Sequence, residues 1–122
     1  ECVKRMLRND LQIRGAKALI LGITFKENCP DIRNSKVIDV HNELVSYGLD
    51  VDVFDPWASA DEVGHEFSID LTQELKDNYS LIVLAVSHRE FSEINVPNQL
   101  IDNGVVYDVK SFLPKDIVTS RL

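Results

Sequence analysis

From Gly22 to Ser35 the chain reads GITFKENCPDIRNS, a stretch that gathers side chains able to hold an anion. Lys26 and Arg33 supply an ammonium and a guanidinium, both of which bind phosphate oxygens, and Phe25 supplies an aromatic face. Asn34 or Ser35 is placed to cap a following helix, whose N-terminus adds a positive field to the same crevice. These groups suit an anionic nucleotide. The spacing is not the G-x-G-x-x-G of a dinucleotide-binding turn, so an ordinary NAD site is unsupported in this loop. Asp31 and Arg33, two residues apart, form a local ion pair that fixes the loop or contact the ligand, and the two readings are compatible.

The other reactive side chains read more plainly. Cys29 lies inside the loop but has no histidine near it in sequence to act as a base, so it is read as a packed thiol. Cys2 is far from it, neither belongs to a C-x-x-C pair, and both are expected as free thiols with no zinc or disulfide framework. His88 follows an apolar run and is read as structural, one residue after a Ser87 cap. His41 and His65 show no metal-ligand spacing, and no metal is expected. Asp55 closes a strand where NAD-binding folds carry a ribose-binding acid, but without the glycine fingerprint an Asp-Pro turn explains it better.

Short apolar runs and helical patterns alternate around these residues. A helix is expected over 3–13, with Gly15 as its stop. Lys17 to Gly22 is a buried parallel strand by its continuous apolarity. The helix after Ser35 is expected to turn Val37, Ile38, Val40, Leu44 and Val45 to the sheet and to end at Gly48. Asp50 to Phe54 is the next strand, stopped by Asp55-Pro56. Residues 57–66 read as loop or short helix, Phe67 to Ile69 as a brief strand, and Asp70 with Gln73 as the capping box of another helix. Leu81 to Val86 is the central strand, Ser87 and Glu90 cap the next helix, and Val105 to Val109 is a fifth strand. Alternating strands and helices predict an α/β, Rossmann-like, doubly wound parallel sheet of about five strands with helices on both faces. Ligands of such sheets sit at the carboxyl ends of the strands, near the switch point.

Composition bounds the partners. The 122 residues, 44% of them hydrophobic, supply one core and one domain. A formal charge of −7 with no Lys/Arg cluster argues against nucleic acid. The apolar run from Leu81 to Val86 is far short of the roughly 20 residues a membrane span needs, and no signal-peptide pattern opens the chain. A cytoplasmic protein without a membrane partner is expected. Glu1 stands where an initiator methionine would, which suggests a fragment of a longer protein.

The stretch GITFKENCPDIRNSKV resembles the signature of the UDP-glucose/GDP-mannose dehydrogenase family, in which G-x-T/A-F-K is followed by an acidic residue and an arginine at these offsets. It is most similar to the branch acting on UDP-N-acetylhexosamines for capsule, Vi-antigen or O-antigen polysaccharides. The resemblance extends through VFDP at 53–56, LAVSHREF at 84–91 and YDVKSFLP at 107–114. It implies a three-part enzyme: an N-terminal NAD-binding domain, a central helical dimerisation region and a C-terminal UDP-sugar-binding domain. Residues 1–14 would be the end of a linking helix and 15–122 the UDP-sugar-binding domain. The family oxidises the sugar C6 hydroxyl to a carboxylate with two NAD⁺ and a catalytic cysteine, whose glycine-rich segment is not in this sequence. No catalytic residue is therefore expected in this chain.

By the same resemblance Phe25 and Lys26 contact the substrate, Arg33 the cofactor pyrophosphate, and Asp31 orients the loop. Lys110 stands in the place of a basic residue, often arginine, that contacts the substrate's nucleotide, and lysine cannot supply arginine's planar fork. A homodimer or higher homo-oligomer is implied for the full-length protein. UDP-glucose as substrate, or a Rossmann-like interaction module without a ligand, are the alternatives.

Overall fold

A computed structural model describes residues 2–33 and 35–121, with the side chains of residues 120 and 121 left undescribed. Five parallel strands form one sheet in the order β2-β1-β3-β4-β5. These are β1 (Lys17–Leu21), β2 (Asp50–Phe54), β3 (Tyr79–Leu84), β4 (Leu100–Asp108) and the two-residue β5 (Ser120–Arg121). The most apolar run lies in the middle strand, where both faces are covered and every residue is buried.

Strand alternation sorts the core into two layers. Ala18, Ile20, Val53, Leu81, Val83 and Val105 pack with Met6, Leu44 and Val63 on one face. Leu19, Leu21, Ile82, Leu84 and Val106 pack with Tyr79, Phe91, Val96 and Leu113 on the other. Each fully buried leucine, isoleucine or valine stabilises the fold by about 1.5–3 kcal/mol relative to exposure. The first face carries the three longer helices: α1 (Cys2–Arg8), α2 (Val37–Ser46) and α3 (Ala60–Phe67). The second is covered by shorter pieces, a 3₁₀ turn over Arg89–Glu93, the single-turn α4 (Val96–Gln99) and a 3₁₀ turn over Lys115–Ile117.

Several local expectations fail for identifiable reasons. The first helix stops at Arg8 because Asp10 takes a left-handed φ of 58° and the Leu11 N–H closes on the Met6 carbonyl at 2.9 Å. Ser35 Oγ accepts the Val37 N–H at 3.3 Å, but the residue before α2 is Lys36, which makes no side-chain cap, and Asn34 lies outside the described residues. Of the residues expected to face the sheet, Leu44 is buried and Val37 and Ile38 half-buried, but Val40 and Val45 are 36% and 48% exposed. The Gly48 stop holds, at φ 94°.

No strand forms over 67–69. Phe67 ends α3, and Ser68 is its left-handed cap. Nor does a helix follow Asp70, because the Thr72 N–H donates to the Val53 carbonyl on the edge of β2 at 2.7 Å. That bond leads the chain round the sheet edge, with Leu71 against the first layer and Leu75 against the second. A helix with one apolar stripe cannot serve two faces. Ser87 does not cap the segment after β3 either. His88 takes the cap position, its side chain makes no capping bond, and Glu90 accepts from Trp57 Nε1 instead.

Candidate functional site

The chain leaves β1 for β2 on one side, while β3 lies on the other, so the crevice beyond β1 and β3 is the switch point of the sheet. Gly22 begins the loop there at φ 99°, and a Cβ on it would stand 2.6 Å from Val86 Cβ. Only glycine lets the loops after β1 and β3 run this close. Ala85 and Val86 N–H both turn back to the Leu21 carbonyl, at 3.0 and 3.3 Å. The Phe25 N–H donates to the Asp31 carbonyl at 2.7 Å and closes the base of the 25–31 loop.

A groove of ≈ 620 Å³ opens at this end of the sheet and runs between α1 and α2. Thr24, Phe25, Lys36, Val86, Val109 and Lys110 line its sheet end, and Val3, Lys4, Val40, Glu43 and Tyr47 line its far end. Phe25 is 53% exposed, a large apolar side chain left open to solvent. The ammonium groups of Lys4, Lys36 and Lys110 make no ion pair among the described residues, whereas Lys17 and Lys76 are paired to Asp50 and Asp52. Asp108 shapes the Lys110 loop by accepting the Lys110 N–H at 3.0 Å and the Leu113 N–H at 2.7 Å.

The structure thus brings Phe25 and Lys110 together and adds Lys36. Lys26 follows Phe25 on the loop and is exposed, but it does not line the groove. Arg33 lies apart, with Asp61, Glu62, His65 and Glu66 in a shallower depression. Asp31 Oδ1 accepts the Arg33 backbone N–H at 2.8 Å and its Nε at 3.0 Å, and Oδ2 accepts a terminal guanidinium nitrogen at 3.1 Å. These bonds hold the Asp31 carboxyl below the usual carboxylate range, the side-chain bond first and the backbone bond second. The Arg33 side chain remains 85% exposed, so the pair shapes the loop more than it stabilises the fold.

Beneath the loops lies a buried polar cluster. Asp55 Oδ2 accepts the Ile23 N–H at 2.7 Å, the Thr24 N–H at 3.2 Å and His88 Nε2 at 2.9 Å. Its Oδ1 accepts the N–H groups of Trp57 and Ala58 at 2.8 and 3.1 Å, the Asx turn expected of Asp-Pro. Burial alone would raise the Asp55 pKa, but the His88 bond and the backbone donors of Ile23 and Trp57 outweigh it and hold the carboxyl below its ordinary value. So saturated an acid has no capacity left for a ribose. His88 is itself fully buried, and its Nδ1 accepts the Asn28 N–H at 2.9 Å. Asn28, at φ 54°, accepts the Arg89 N–H on its side-chain oxygen at 3.0 Å. Above them Arg89 lies 5.1 Å over the Trp57 ring, and Trp57 Nε1 donates to Glu90 at 2.8 Å.

Three loops are therefore locked together through Asp55, His88, Asn28 and Trp57. Each residue is visible in the sequence, but their partnership is not, since Asp55 and His88 are 33 positions apart. Asn28 alone carries a local hint, because asparagine tolerates a left-handed backbone. Cys29 is half-buried with a free thiol. No group of three metal-ligating side chains stands together among the described residues.

A sequence profile for the UDP-glucose/GDP-mannose dehydrogenase family, UDP binding domain, matches residues 19–115, from β1 through all the loops just described. The chain belongs to this family. The UDP-N-acetyl-D-glucosamine 6-dehydrogenase of Pseudomonas aeruginosa is 42% identical over 126 residues, covering 100% of this chain and 30% of that protein. The enzyme of the same name from Salmonella typhi is 41% identical with the same coverage. The NDP-N-acetyl-D-galactosaminuronic acid dehydrogenase of Methanosarcina mazei Go1 shares the fold, with a TM-score of 0.77 over 93% of this chain and 24% of that one at 19% identity. This UDP-binding-domain chain spans about 30% of the length of the two 6-dehydrogenases. Among its described residues no helix is long and apolar enough to cross a membrane.

Proposed function

We propose that this domain binds the UDP end of a UDP-N-acetylhexosamine for an NAD-dependent 6-dehydrogenase whose catalytic groups lie elsewhere in the full-length protein. The observation that carries this reading is the groove at the switch point, where Phe25 and two lysines that make no ion pair among the described residues, Lys36 and Lys110, line one apolar trough. Ammonium groups there offer point charges to a diphosphate, and the aromatic and aliphatic lining offers a surface to a base or sugar ring. The domain's charge of −7 opposes an anionic ligand only at long range. Solution ions screen it beyond about 8 Å, so the lysines inside the groove decide the local potential.

Lys26 stands beside this groove to donate to phosphate or sugar oxygens. Arg33, exposed and held by Asp31, reaches the cofactor pyrophosphate across a domain interface. NAD, bound mainly by another domain, accepts the hydrides from C6. The sugar follows the 6-dehydrogenases that the chain resembles at 41–42% identity. In the same reading residues 1–14 end a linking helix, the enzyme is a cytoplasmic homo-oligomer, and its product enters a bacterial surface polysaccharide.

Calorimetric titration of the chain with UDP is expected to give a saturable signal. In the full-length enzyme, NADH formation should be fastest with a UDP-N-acetylhexosamine and slower with UDP-glucose. Lys26→Ala should raise the sugar-nucleotide KM at least about tenfold, since a hydrogen bond to a charged group is worth about 1.5–3 kcal/mol. Unchanged turnover and affinity in that variant would remove Lys26 from the site.

A further inference from the structure

We infer that His88 is a positioning residue for Lys26: one buried imidazole bonds Thr24 and Asn28, the residues two positions before and after that lysine. The inference rests on the proposed ligand role of Lys26. Because His88 Nδ1 accepts the Asn28 N–H, the proton of the neutral ring is on Nε2. That N–H is shared between Asp55 Oδ2 at 2.9 Å and Thr24 Oγ1 at 3.0 Å. The Thr24 hydroxyl therefore spends its own proton on the Lys26 carbonyl, at 3.1 Å. One ring thus holds the carbonyl of residue 26 through Thr24 and the amide of residue 28 directly.

The surroundings make these bonds matter. His88 is 0% exposed and Thr24 1%, so no water competes for the shared N–H. Lys26 itself is exposed, and its ammonium has no hydrogen-bond or ion-pair partner among the described residues. Its placement is set by its backbone alone. The Asn28 side chain adds a second tie through Arg89, so the loop after β1 is fastened to the loop after β3 on either side of the imidazole. With both ring nitrogens committed, His88 has no lone pair or proton left for substrate, which separates a positioning role from catalysis.

The test uses the full-length enzyme. Thr24→Val keeps the side-chain volume and the His88–Asp55 bond but removes the hydroxyl that reaches Lys26. His88→Gln places an amide donor where Nε2 met Asp55 but leaves no acceptor at the Nδ1 position that faces the Asn28 N–H. Each is expected to raise the KM for the UDP-sugar by about tenfold, as displaced binding groups do. The KM for NAD should stay put, and the change should fall on KM more than on kcat. In a Lys26→Ala background the same substitutions should add nothing, because the group they position is gone.

Equal effects of Thr24→Val in both backgrounds would overturn the inference while leaving the role of Lys26 intact. So would parallel losses in kcat and in both KM values with a lowered melting temperature, the mark of a structural role only. If Lys26→Ala alone leaves KM unchanged, the ligand reading fails and the inference falls with it.

Discussion

The two sides of the crevice handle polarity in opposite ways. On the Asp55–His88 side, buried donors and acceptors from three loops satisfy one another, with heavy-atom distances of 2.7–3.2 Å. On the groove side, Lys4, Lys36 and Lys110 make no ion pair among the described residues and stand beside exposed Phe25 and Tyr47. A buried polar group must be paired inside the protein, because leaving it unmet costs about 1–3 kcal/mol. An exposed ammonium is met by water and remains available to a ligand. The closed cluster therefore holds geometry, and the open groove holds binding capacity.

Asp55→Ala should break this arrangement most. It strands four backbone N–H groups and the His88 N–H, and is expected to cost at least about 3 kcal/mol in urea unfolding, since each buried donor left unmet costs about 1–3 kcal/mol. That is a large share of the roughly 5–15 kcal/mol of an ordinary domain. Asp55 also implies an acid limit. Its folded pKa is depressed, so its contribution is full above the unfolded value of about 3.9 and is lost as pH falls through the folded value. Urea midpoints of the wild type should drop in that window, and those of Asp55→Asn should drop less.

Gly22→Ala comes next. The overlap with Val86 and the positive φ should together cost about 2–4 kcal/mol and push the loops after β1 and β3 apart. Thermal melting checks the first effect and UDP affinity the second. Lys110→Ala should change stability least, within about 0.5 kcal/mol, while weakening UDP binding. Should Lys110→Ala destabilise as much as Asp55→Ala, the division between a closed cluster and an open groove would be wrong.

The strands were legible in the sequence because a buried parallel strand is a local statement. β2 runs over the residues expected, Asp50 to Phe54, while the apolar run Leu81 to Val86 marks the central strand two residues late, since β3 is Tyr79–Leu84, and Val105 to Val109 marks only the end of β4, Leu100–Asp108. The loop with Phe25, Lys26, Asp31 and Arg33 was legible as a motif, as was the Gly48 stop. Failures came where a distant group competed with a local preference. Asp70 and Gln73 have the spacing of a helix start, but the Val53 carbonyl claims the Thr72 amide. Glu90 has the spacing of a capping box with Ser87, but the Trp57 indole claims its carboxylate.

By itself, then, the sequence determined the alternating α/β order, the apolar strands and the cationic loop, all set by residues near one another along the chain. Only the tertiary structure decided that Asp55 and His88 form a pair, that Phe25 shares a groove with Lys36 and Lys110 while Arg33 lies outside it, and that Val40 and Val45 of α2 stay exposed. Those outcomes depend on which distant groups the folded sheet brings within about 3 Å, the reach of a hydrogen bond, and short-range sequence spacing carries no record of that.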